Sequence, residues 1–128
     1  MPVTYAIDPD ARMVRTRCAG KVTLPEVLDH LQQLRDDPVC PDRLDVLLDL
    51  SDADTWPDRT QLQTVTYELA QVRGKLRLDL CAVIATRDVI FGMLRMFEAM
   101  TQDYFRDIQV FRTAADAETW LEARRLLP

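Results

Sequence analysis

Apolar and polar residues alternate from Val3 to Asp8, the period of a strand with one face buried. Asp8-Pro9-Asp10-Ala11 supplies turn chemistry. Alternation resumes from Arg12 to Ala19, with Val14, Thr16 and Cys18 on one face and Met13, Arg15 and Arg17 on the other. The two segments read as a hairpin. The period then lengthens: Leu24, Val27, Leu28, Leu31 and Leu34 recur at helical spacing until Asp36-Asp37-Pro38. Thr23-Leu24-Pro25-Glu26 opens that helix as a capping box with proline in the first turn. Leu44 to Leu50 is a nearly continuous apolar run, as expected of a central strand covered on both faces. Ser51 to Asp58 is polar apart from Ala53 and Trp56-Pro57 and reads as a loop. Asp58 caps a second helix to about Lys75, with Leu62, Val65, Leu69 and Val72 inward and Gly74 as the stop. Asp79 to Ala85 is a second buried strand, and Thr86 or Asp88 caps a third helix. Arg106 to Phe111 is the fifth strand, and Thr113 opens a last helix with Ala117, Trp120 and Leu121 inward.

The order β-β-α-β-α-β-α-β-α predicts an α/β fold, a mixed, mostly parallel five-stranded sheet flanked by four helices. No repeat or linker interrupts it, so residues 1–128 are expected to form a single domain. Hydrophobic residues at 48% and charged residues at 29% are ordinary for a globular chain. The longest apolar run, Leu80 to Ala85, is far short of the roughly 20 residues of a membrane span, and Met1 to Tyr5 lacks signal-peptide character. A cytoplasmic location without stable membrane insertion is expected.

The net charge of −5 opposes binding to nucleic acid. Three glycines cannot build a glycine-rich phosphate loop, and Cys18, Cys40 and Cys81 are too dispersed for zinc or for expected disulfides. Asp52, Asp54 and Asp58 lack the glycine and glutamate of a calcium loop. The single histidine, His30, is placed on a helix flank opposite Leu28 and Leu31, so no base is poised for catalysis. No catalytic residue, cofactor or metal is expected. Arg12, Arg15 and Arg17 form a local basic patch, with Arg15 and Arg17 beside Tyr5, read as edge-strand charges that discourage sheet-to-sheet pairing, with contact to an acidic lipid surface as the alternative.

The order of elements resembles the STAS fold of anti-sigma-factor antagonists, and in detail the SpoIIAA-like, or STAS/SEC14-like, group. The resemblance spans nearly the whole chain. It rests on Tyr5-Ala6-Ile7-Asp8, Val14-Arg15-Thr16-Arg17, Gly20-Lys21-Val22-Thr23, Leu44 to Leu50, Phe91 to Glu98, Val110-Phe111-Arg112 and Ala117 to Leu121. These are packing and capping patterns, so the match implies a fold rather than an activity. Because the chain offers no convergent acid, base and nucleophile, the expected function within that fold is a non-enzymatic regulatory module acting through a protein partner or a small ligand, and the arginine- and aspartate-rich charge set fits a bacterial source. The group's SEC14-like label adds lipid-like ligands. Kinase-switched antagonists carry an Asp-Ser-Ser-Gly-like segment at the second helix. This chain reads Asp49-Leu50-Ser51-Asp52-Ala53-Asp54 there, without the serine-serine-glycine step.

Two regions are candidate ligand or partner sites. Open α/β sheets bind ligands beyond the carboxyl ends of their strands, where Asp49, Ser51 and Trp56 would meet Thr86 and Arg87. An anionic group is one expected guest; turns, caps and solvated aspartates are the alternative. On the third helix Ile90, Leu94, Phe97, Thr101 and Tyr104 form the inward stripe. Val89, Met93, Met96 and Met100 widen the apolar arc to about 160°, with Phe91 outside it beside Arg95 and Glu98. Three explanations stand: a deeply buried helix, a homodimer contact, or a seat for an apolar, lipid-like molecule.

Overall fold

A computed structural model describes residues 2–127. Strands β1 (Val3–Asp8) and β2 (Met13–Lys21) form the antiparallel hairpin. Strands β3 (Arg43–Thr55), β4 (Arg77–Ile84) and β5 (Asp107–Phe111) add in parallel, in the order β1-β2-β3-β4-β5. Helices α1 (Leu24–Asp36), α2 (Arg59–Val72) and α3 (Asp88–Thr101) form the crossovers, and α4 (Ala114–Arg125) closes the chain. Because each crossover advances one strand in the same direction, right-handedness puts α1, α2 and α3 on one face. Their buried side chains, including Leu31, Leu34, Leu62, Val65, Ile90 and Leu94, share one core with Val14, Val46 and Val83. The other face carries α4 alone, where Ala117 and Leu121 meet Met13, Leu47, Leu80, Ala82 and Ile84.

The expected mixed five-stranded sheet with four helices is present, and the caps of α1 and α2 are the predicted ones. Thr23 and Glu26 form a capping box, as do Asp58 and Gln61. Four local expectations change. Ser51 to Thr55 is strand rather than loop, because β2 runs on to Lys21 and pairs with it. Ala53 is fully buried while Asp52 and Asp54 point out, so half of this stretch was polar for the ordinary reason of alternation. The pairing shifts register around Ala19 and Gly20, and Gly20 takes a left-handed φ of 68° that a side chain would disfavour. Second, neither Thr86 nor Asp88 caps α3; its N-cap is Arg87, without a side-chain cap bond. Third, Tyr104 lies in a 3₁₀ turn, Gln102–Tyr104, beyond the helix.

Fourth, β2 is not an edge strand. Arg15 and Arg17 sit on the α4 face, paired with Glu118 and Asp52. Tyr5 is opposite Thr16 in the hairpin register and lies 5.3 Å, ring to ring, from His30 on the other face. At the amino ends of the central strands two aspartates are buried. Asp45 accepts the Leu80 N–H at 3.1 Å and pairs with Arg125 at 3.1 Å. Asp79 lies 3.2 Å from Arg106 and 3.0 Å from Arg43.

Candidate functional site

The carboxyl ends of β3 and β4 bring Asp49, Ser51, Thr86 and Arg87 together as expected, but the chain's own groups occupy one another. Ser51 donates both its N–H (2.9 Å) and its hydroxyl (2.6 Å) to Asp49 Oδ1. The Thr86 hydroxyl donates to the Ser51 carbonyl at 3.3 Å. The cations are matched in turn: Arg87 with Asp54, Arg17 with Asp52, and Arg112 with Asp88. Of the three aspartates weighed as a cation loop, two are ion-paired and Asp58 caps α2. Each charged group named here is thus paired within the chain.

Helix α3 divides its apolar residues between interior and surface. Ile90, Leu94, Phe97 and Thr101 are buried, while Met93 and Met100 are half-buried against the same core. Val89 is 73% exposed and Met96 38% exposed. Phe91 is half-buried beneath the Arg112 guanidinium, 3.9 Å from its ring centre. Arg95 is exposed and 3.6 Å from Glu98, whose other carboxylate oxygen accepts the Val110 N–H of β5 at 2.9 Å.

Trp56 leaves the group altogether. It is 5% exposed and packs edge-on to Phe97 with ring centres 5.6 Å apart. There it lines an apolar cavity of about 60 Å³ between α1–α3 and the sheet. Helix α1 contributes Val27, His30, Leu31 and Leu34, α2 contributes Val65 and Leu69, and the strands contribute Cys18, Val46, Leu48, Leu78 and Cys81. His30 therefore points inward rather than lying on the flank, and its Nε2 shares a 3.0 Å hydrogen bond with Thr16 Oγ1. The inward turn was missed because a single polar residue at helical spacing looks like surface. Thr16, on the buried face of β2, was its hidden partner.

Two nitrogens on the cavity-lining side chains, His30 Nδ1 and Trp56 Nε1, are buried and lack a hydrogen-bond partner among the described residues. Burial lowers the His30 pKa to about 4, so the imidazole is neutral at physiological pH. Burial likewise raises the Cys18 thiol to about 12, with Asp49 and Glu26 adding to it, and raises the Cys81 thiol by burial alone.

Among the described residues, no helix is long and apolar enough to cross a membrane. No family model and no curated protein matches the sequence. The fold does have a solved counterpart, the crystal structure of an uncharacterized protein of the DUF3478 family from Shewanella loihica PV-4. It aligns with a TM-score of 0.56 over 93% of this chain and 91% of that one, at 16% identity. That protein is described as having a SpoIIAA-like fold, and the alignment together with the sheet order and helix placement gives this chain the same SpoIIAA-like α/β fold.

Proposed function

We propose that this domain is a non-catalytic, regulatory binding module that takes a small apolar molecule into the cavity between α1–α3 and the sheet. The observation that carries this reading is the pair of unpartnered buried nitrogens, Trp56 Nε1 and His30 Nδ1, on an otherwise apolar lining. A buried indole N–H ordinarily finds an acceptor. Leaving it without one costs about 1–3 kcal/mol, which a guest bearing an acceptor would return. Size limits the guest. An apolar cavity of about 150 Å³ holds one benzene, so 60 Å³ fits a smaller molecule, with a few carbons and one carbonyl or ether oxygen. The lipid-like ligand implied by the resemblance shrinks accordingly, and its seat moves from the methionine face to the sheet side of α3, at Phe97. The non-catalytic part of the reading is supported by His30 facing Thr16 and by two thiols that burial holds protonated.

The test is a ¹⁵N-correlation NMR titration with dimethyl ether, alongside xenon as a guest with no acceptor. Both should shift resonances of the lining residues, and Trp56→Phe should weaken dimethyl ether about fivefold while sparing xenon. Undisturbed lining resonances in the wild-type protein would end the proposal. A second reading, contact with a twin subunit or a regulatory protein, is favoured by the exposure of Val89 and Met96. Light scattering during gel filtration checks the twin: a concentration-dependent dimer dispersed by Met96→Glu is expected, and a monomer at high concentration retires it.

A further inference from the structure

At the other end of the sheet lies a groove of about 320 Å³, between the end of α2, the start of β4 and the turn before β5. This is more than five times the interior cavity and falls within the roughly 300–1,000 Å³ of small-molecule sites. Three elements supply its cations: Arg73 follows α2, Arg77 begins β4 and Arg106 precedes β5.

These arginines differ in what they already hold. Arg106 is engaged with the buried carboxylate of Asp79, which Arg43 also approaches. Arg73 donates to the Asp103 carbonyl at 3.2 Å and lies over the Tyr104 ring at 5.6 Å, contacts that leave its charge without a counter-ion among the described residues. Arg77 is exposed, and its side chain makes no hydrogen bond or ion pair among the described residues. The groove's lining thus carries three arginines against two aspartates, Asp79 and Asp103, a local excess of positive charge in a chain whose net charge is −5. Leu76, Leu78 and Tyr104 give the groove an apolar and aromatic wall.

Independently of the interior cavity, we propose that this groove binds a small organic oxyanion, a phosphate monoester or carboxylate carried on an aromatic or apolar body. Guanidinium groups match such oxygens with two parallel N–H donors, and Arg77 and Arg73 have donors to give. The body lies against Tyr104 and Leu76. Asp79 and Asp103 set a limit, because they repel a polyanion and leave room for one anionic group.

Titration of the full chain with phenyl phosphate, benzoate, phenol and inorganic phosphate, followed by NMR, tests this. Phenyl phosphate or benzoate should shift Arg77, Tyr104 and Phe105 and bind at least tenfold more tightly than phenol and than inorganic phosphate. Which of the two is tighter identifies the head group. Arg77→Ala, or the milder Arg77→Gln, should weaken binding about tenfold, while Arg59→Ala on the first turn of α2 changes nothing. Inorganic phosphate matching phenyl phosphate would reduce the groove to an unspecific charge trap and overturn the proposal. So would binding indifferent to Arg77, which would leave the arginines as counter-charges to the C-terminal ends of α2 and α3.

Discussion

The two ends of the parallel sheet treat charge in opposite ways. At the carboxyl ends the ion pairs Arg87–Asp54, Arg17–Asp52 and Arg112–Asp88 join exposed partners, each matched once. At the amino ends Asp45 and Asp79 are buried, Asp79 is shared by two arginines, and Arg77 beside it is uncommitted. A crevice becomes a site when its groups have bonding capacity left over, and topology alone does not supply that. The end where open α/β sheets usually bind ligands has spent its capacity on itself.

The sharpest way to break this contrast is Asp79→Ala. It removes the charge-assisted contacts of a buried carboxylate with two half-exposed arginines, Arg43 and Arg106, and should cost about 3 kcal/mol in urea unfolding. A loss below about 1 kcal/mol would make the two ends energetically alike. Acid comes next, because it loads the middle of the molecule rather than either end. The His30 pKa is about 4 folded and about 6.5 unfolded, so the unfolded chain binds the extra proton. Stability from this residue is whole above pH 6.5 and falls as pH drops towards 4, by up to roughly 3 kcal/mol. His30→Gln should flatten that segment of the stability–pH curve, and an unchanged curve would place the loss in the aspartates instead. Third, Arg112→Ala should cost about 1 kcal/mol, since it removes both the cover over Phe91 and an exposed pair. Smallest is Arg87→Ala, expected within about 0.5 kcal/mol and further diminished in 0.5 M salt.

The order and kind of the elements were legible because each carries its own period and cap. Leu44 to Leu50 could only be a covered strand, and Thr23 with Glu26 could only start a helix. The site was less legible, for physical reasons. Asp52 and Asp54 disguise strand as loop, since alternation at a sheet's end exposes every second residue. Trp56 looks like a loop aromatic until Phe97, more than forty positions later, folds against it. The groove's Arg73, Arg77 and Arg106 meet only through the fold. The cation-rich stretch Arg73-Gly74-Lys75-Leu76-Arg77 was the available local hint, and it reads equally well as a solvated turn. His30 and Thr16 each passed for an ordinary polar residue because only the pair has meaning.

The bond from Glu98 to the Val110 N–H reaches past α3. It plugs an outward backbone donor on β5, one of the two rims of the sheet, whereas β1 on the opposite rim has no side-chain plug on its backbone among the described residues. That donor is thereby withheld from any strand that would add beside β5.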